Sequence, residues 1–199
     1  MIIAGLTGSI AMGKSETAKQ FLRRGIRVFD SDSIVHQLYA KGGDAVGVIA
    51  KLAPATIVDH AVDRHLLSQE IRNKPGLLAA IEQAVHPLVR MRQEAFLQQA
   101  RAEGHSLVIL DIPLLFETAR DRDVGKIIVV TASPDIQRER AMKRPGMTVE
   151  KLEFILSKQV PDADKRARAD YIIDTSNSIA DSQRQVDLIL SELVGTKES

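Results

Sequence analysis

Eight residues, Gly8-Ser9-Ile10-Ala11-Met12-Gly13-Lys14-Ser15, do most to limit what this chain can fold into. They match the spacing G-x-x-x-x-G-K-[ST] and lie between an apolar run at 2–6 and a helix-like stretch at 14–24. The chemistry of the motif needs that placement. Glycines let the backbone curl until successive N–H groups point inward at phosphate oxygens, and the following helix N-terminus adds its partial positive charge. Lys14 is then set to reach the β- and γ-phosphates of a nucleotide, and the Ser15 hydroxyl to ligate Mg²⁺. The plainer alternative is a glycine turn that caps a helix; the strand before it and the helix after it weigh against that reading.

Other apolar runs of strand length recur at 26–29, 107–110, 127–130 and 171–173. They are rich in β-branched residues and lack polar alternation, as strands buried on both faces of a parallel sheet do. Helix-like stretches at 31–41, 134–143 and 178–194 follow three of them, so the expected fold class is α/β, a five-stranded parallel sheet with helices on both faces. The stretch from about 44 to 104 breaks the rhythm. It shows no convincing strand and reads as several helices, punctuated at Pro75-Gly76 and His86-Pro87. Leu88, Met91, Ala95 and Phe96 suggest the apolar face of one of them. A second, polar insertion runs from about 144 to 168. The expected organisation is one unit with a core at about 1–43, 105–143 and 169–199, a helical insertion at 44–104 and a lid at 144–168.

At 199 residues and 44% apolar composition, the chain has ample material for one core and is not of the disordered or collagen-like class. Lys and Arg number 27 against 26 Asp and Glu, so the net charge of +1 gives no electrostatic case for a nucleic-acid partner. The absence of cysteine excludes thiol catalysis and fits a reducing cytoplasm. No apolar run approaches the roughly 18 residues of a membrane span, and no secretory signal precedes the first strand. A cytoplasmic monomer acting on small molecules is expected. A GTPase would carry N-K-x-D, and Asn73-Lys74-Pro75-Gly76 lacks the aspartate. A small-molecule kinase is favoured.

Further segments narrow the reading. Val28-Phe29-Asp30-Ser31-Asp32 is a strand ending in D-x-D, although Asp and Ser there also suit a helix N-cap. Val62-Asp63-Arg64-His65-Leu66-Leu67, His86-Pro87-Leu88 and Leu110-Asp111-Ile112-Pro113-Leu114-Leu115-Phe116-Glu117 follow in order. Then come Ser133-Pro134-Asp135-Ile136-Gln137-Arg138-Glu139-Arg140, with Arg144, Gln159, Lys165 and Ala169-Asp170-Tyr171-Ile172-Ile173-Asp174 after it. Arg140 and Arg144, four apart on one helix face, are able to clamp a transferring phosphoryl, or else make a solvated charged face. Across nearly its whole length the chain resembles the dephospho-CoA kinases, a family of P-loop small-molecule kinases.

That resemblance implies transfer of the γ-phosphoryl of ATP to the ribose 3′-hydroxyl of dephospho-CoA, the last step of coenzyme A biosynthesis, with Mg²⁺ as cofactor. It implies catalytic roles for Lys14, Asp32 and Arg140, with Asp32 accepting the hydroxyl proton and Asp30 supporting it. Nucleotide contacts fall to Gly8, Ala11, Met12, Gly13, Lys14, Ser15, Glu16 and Arg144. Acceptor contacts fall to Asp32, His86, Pro113 and Leu114, and Mg²⁺ ligation to Ser15, Asp32 and Asp111. The segment 144–168 becomes a lid that excludes water. The chain departs from the family at Ala11-Met12, commonly Gly-Ser, and at Glu16, commonly threonine. Rival readings are a kinase for another small alcohol or nucleoside monophosphate, and a nucleotide sensor without turnover.

Overall fold

The computed structural model describes residues 1–195. In chain order the elements are β1 (Ile2–Thr7), α1 (Lys14–Arg23), β2 (Arg27–Asp30), α2 (Ser31–Tyr39), α3 (Val46–Leu52), β3 (Ile57–Val58), β4 (Ala61–Val62), α4 (Arg64–Asn73) and α5 (Leu77–Ala102). They continue with β5 (Leu107–Asp111), β6 (Lys126–Thr131), α6 (Pro134–Met142), α7 (Val149–Ser157), α8 (Asp162–Ala167), β7 (Tyr171–Asp174) and α9 (Ile179–Val194). The chain divides into two compact units: Met1–Phe29 with the chain from Ala100 onward, and Asp30–Gln99.

The first unit is built on the expected five-stranded parallel sheet, with helices around it, in the order β2-β5-β1-β6-β7. β1 pairs in parallel with β5 on one side and β6 on the other, and β6 with β7. After β1 the chain winds to one side of it for β2 and β5, then crosses to the other side for β6 and β7. The direction of winding therefore reverses beside β1, and open α/β sheets bind ligands at the carboxyl ends of the strands at such a point. The phosphate-loop motif leaves the sheet there. The core explains the unbroken apolar runs: Ala4, Leu6, Leu107, Ile109, Ile128, Val130 and Ile173 are buried with Ala18 and Phe21 of α1 and Val186 and Ile189 of α9.

Helix starts follow local chemistry. The side chains of Asp30, Asp63, Ser133 and Thr148 each accept a backbone N–H in the first turn of α2, α4, α6 and α7, and Ser178 with Asp181 makes a reciprocal capping box for α9. α1 differs: its cap is Gly13, with no side-chain cap hydrogen bond.

The second unit corrects the sequence reading three times. Residues 44–104 were expected to hold no strand, yet β3 and β4 pair as a short antiparallel hairpin. Its turn holds Asp59 and His60 at positive φ, 49° and 64°, a conformation Asp and His adopt more readily than most side chains. His86-Pro87 was expected to punctuate the helices, but both residues lie inside the 26-residue α5. Proline removes one backbone N–H, so only the Gln83 carbonyl loses its helical donor. The apolar face also differs. Leu77, Ile81, Val85 and Val89, spaced by four, are buried, whereas Met91 is 53% exposed. Among the described residues no helix is long and apolar enough to cross a membrane.

Candidate active site

The loop from β1 to α1 is shaped by close packing. A Cβ on Gly8 would stand 2.5 Å from the Val130 carbonyl oxygen, so only glycine fits there. Gly13 has φ 91°, and a Cβ on it would meet Thr175 Oγ1 at 2.9 Å. Between them, Met12 N–H closes a turn onto the Ser9 carbonyl at 3.2 Å. Ala11 takes φ 63°, a left-handed conformation that costs a non-glycine residue about 1–2 kcal/mol. With no side chain capping α1, the Lys14 and Ser15 amides at its start are left for a ligand at the positive end of the helix, while Glu16 N–H donates to the Gly13 carbonyl at 3.1 Å.

Lys14, in the first turn, forms an ion pair with Asp111 at the end of β5. The Lys14 and Asp111 side chains are 15% and 5% exposed, so the charges are neutralised in a largely dry place. Ser15 is exposed beside it. Pro113 is half-buried and its carbonyl accepts from Thr7 Oγ1 at 3.2 Å, while Leu114 is 43% exposed.

On the other flank of the loop stands Thr175, just past β7, a residue to which the sequence reading gave no role. Its hydroxyl lies 2.9 Å from the Met12 carbonyl and 3.2 Å from that of Thr131, and it accepts from Arg140 Nη1 at 2.8 Å. Arg140 Nη2 donates to the Thr175 carbonyl at 2.8 Å. Four segments of the first unit thus meet at one threonine. A cleft of about 240 Å³ opens here, lined among others by Gly13, Glu16, Arg140, Thr175, Asn177 and Ile179. The exposed Ile179 gives it an apolar side. The Glu16 carboxylate is held by Arg23 Nη1 at 2.9 Å, with Lys19 at 3.8 Å, so its charge is balanced along the helix.

Arg144 does not share a helix face with Arg140. α6 ends at Met142, and Arg144 lies exposed past it, before Pro145. A proline disfavours helix at the residue before it, which ends the periodicity that linked the two arginines.

In the second unit, Asp30 rather than Asp32 caps α2, accepting from Ser33 N–H at 3.0 Å. Asp32 is exposed in the first turn and makes no hydrogen bond or ion pair among the described residues. His86 is exposed on α5.

Around the loop, Glu117 accepts Val160 N–H at 2.9 Å and pairs with the fully buried Lys165 at 2.8 Å. Burial opposes the carboxylate's charge, but the Lys165 ammonium and the backbone N–H outweigh it, so the Glu117 pKa lies below the ordinary glutamate value. Nothing in the sequence singled out this pair beyond its presence in the quoted segments. No cluster of three or more His, Asp or Glu side chains that could hold a metal occurs among the described residues. Mg²⁺ needs no such cluster, since it is usually held by one or two carboxylates with waters and substrate phosphate oxygens.

Known proteins resemble this chain along most of its length. The family model described as CoaE, dephospho-CoA kinase, matches residues 2–181. A dephospho-CoA kinase of Agrobacterium fabrum is 49% identical over 193 residues, covering 97% of this chain and 98% of that protein. One from Mesorhizobium japonicum is 48% identical over 199 residues, the whole of both chains. Among solved structures, the dephospho-CoA kinase from Campylobacter jejuni superposes with a TM-score of 0.72 at 25% identity, over 97% of this chain and 98% of that one. A Thermus thermophilus protein reaches a TM-score of 0.82 at 31% identity, over 96% and 97%. On the matched length and this identity, the chain belongs to the dephospho-CoA kinase family.

Proposed function

We propose that this protein transfers the γ-phosphoryl group of ATP to the ribose 3′-hydroxyl of dephospho-CoA, giving CoA and ADP. The observation that carries the site assignment is the uncapped N-terminus of α1 behind a sterically fixed loop, with Lys14 paired to a buried carboxylate at its edge. The loop amides and Lys14 bind the phosphates, Lys14 exchanging Asp111 for β- and γ-oxygens when ATP arrives. The cleft between Arg140 and Ile179 takes the adenosine end, and Arg140 reaches the phosphates with the N–H groups that Thr175 leaves over. Arg144, exposed and without an ion pair among the described residues, remains a candidate for a further phosphate contact.

Ser15 and Asp111 offer hard oxygen ligands suited to Mg²⁺, with Asp32 as a third candidate. When bound, Mg²⁺ supplies charge neutralisation at the β- and γ-oxygens. Asp32 accepts the proton of the acceptor hydroxyl; its freedom from capping supports that role. Pro113, the exposed Leu114 and His86 are the proposed acceptor contacts, and 144–168 the lid. The setting is cytoplasmic and the acting species a monomer.

The direct test mixes the protein with ATP, Mg²⁺ and dephospho-CoA and identifies the products by mass. CoA and ADP in equal amounts are expected. ATP binding without acceptor-dependent ADP release would instead make the chain a nucleotide sensor.

A further inference from the structure

The phosphate loop is held from outside at Ile10. Its N–H donates to Gln159 Oε1 at 3.0 Å, and its carbonyl accepts from Gln137 Nε2 at 2.8 Å. These groups belong to successive peptide planes, so two planes are fixed at once. The partners dictate the amide orientations: an N–H only donates and a C=O only accepts, so Gln159 presents its oxygen and Gln137 its NH₂. Gln137 is 8% exposed on α6, and Gln159 follows α7. Side chains from the same region back the hydrogen bonds, because Ile10 and Ala11 pack with Ala141, Met147, Leu152 and Leu156 in a small apolar cluster. Gln159 is itself anchored through its neighbour Val160 to Glu117. The left-handed conformation of Ala11 is not one that an alanine favours, so the loop needs such support.

We infer that Gln137 and Gln159 are positioning residues that set the Ile10 peptide planes and thereby hold the phosphate loop in its ATP-binding shape. The inference rests on residues 8–15 being the ATP cradle. Rotation of either plane would turn the Ala11 amide and draw Met12 N–H away from the Ser9 carbonyl, opening the turn that shapes the loop. The segment carrying α7 therefore acts on ATP affinity through the loop.

The test is calorimetric binding of MgATP to the full chain, in which stoichiometry reports the folded fraction and Kd the loop. Gln159→Met should weaken binding about tenfold, about 1.4 kcal/mol, within the usual cost of an unpaired backbone donor. Gln159→Glu keeps an acceptor for Ile10 N–H and should bind better than Gln159→Met, despite adding a negative charge near the phosphates. At position 137 the order reverses, since Glu has nothing to donate to the Ile10 carbonyl: Gln137→Glu should bind worse than Gln137→Met. Packing alone or charge alone would favour Met over Glu at both positions, so Met equal to or better than Glu at position 159 overturns the inference. Unchanged Kd in both Met variants does the same. Lys14→Ala separates the underlying reading: if it binds ATP like the parent, the cradle assignment fails and this inference with it. If Lys14→Ala loses ATP while the glutamine variants bind normally, the cradle stands and the brace alone falls.

Discussion

Asp30 and Asp32 stand two residues apart at the start of α2 and divide the work that one motif suggested for both. Asp30 caps the helix, and Asp32 is left with an exposed carboxylate that no hydrogen bond or ion pair engages among the described residues. Asp32→Asn therefore removes no cap and should leave folding intact. As the general base it should lower kcat by roughly 10²–10⁴, with ATP affinity by calorimetry unchanged. A rate within about threefold of the parent, far short of that scale, would leave Asp32 without a catalytic role. Ala11 poses a different question, because its φ of 63° strains the backbone while its methyl is buried. Ala11→Gly relieves about 1–2 kcal/mol of strain. It forfeits a methyl worth about 0.8 kcal/mol and gains unfolded-state freedom worth about 0.4–1 kcal/mol, so it should be close to neutral. Ala141→Gly, buried in the last turn of α6, has no strain to relieve and should cost about 1–2 kcal/mol. Thermal midpoints of the two variants compare them; equal losses would mean that Ala11 is unstrained.

The elements of the sheet were legible because each is a short β-branched run, and burial on both faces leaves such runs no polar alternation. All five lie where the sequence suggested, with ends shifted by one residue. Three features of the helices and the hairpin were not. Pro87 sits inside α5 because one missing donor is a small loss within a helix of 26 residues. The β3–β4 hairpin is two residues per strand, below the length at which alternation shows. Arg144 escapes α6 because Pro145 ends the helix early. In the site, Lys14 and Asp111 were readable from motif spacing, but Thr175, Gln137 and Gln159 were not: their roles depend on partners up to 163 residues away. The same is true of Glu117 and Lys165. Lys165→Met leaves the buried Glu117 carboxylate unpaired and should cost about 3–5 kcal/mol, a fall in Tm of roughly 2–4 °C per kcal/mol at this chain length. Adding Glu117→Gln removes the charge while keeping an acceptor for Val160 N–H, so the double variant should recover most of the loss. A double variant as unstable as the single would refute the unpaired charge as its cause.

At the scale of the whole molecule, acidic side chains held below their ordinary pKa values join distant parts of the first unit. Glu117 links the turn after β5 to the α8 region through Lys165 and Val160. Asp170 accepts Ile127 N–H at 2.8 Å and Lys126 Nζ at 2.9 Å, joining the starts of β6 and β7; burial opposes its charge, but these donors lower its pKa overall. Asp187 on α9 is lowered by Arg24 just past α1, whose Nη2 donates to Oδ2 at 2.8 Å. A carboxyl whose folded pKa is depressed binds fewer protons folded than unfolded across the window between the two values. Its contribution is therefore complete above the unfolded pKa, about 4 for Asp and Glu, and is lost as pH falls through the folded value. These groups should leave Tm nearly flat from neutral pH down to about 5 and steepen its fall below about 4. Asp170→Asn isolates one share of that slope. The amide still accepts the Ile127 N–H but has no proton to take up in this range, so the variant should start with a lower Tm at pH 7 and lose less of it on acidification. Melting curves recorded between neutral pH and about 2.5 would show the two Tm profiles converging at the acid end; profiles that stay parallel would mean that Asp170 titrates alike in the folded and unfolded chain.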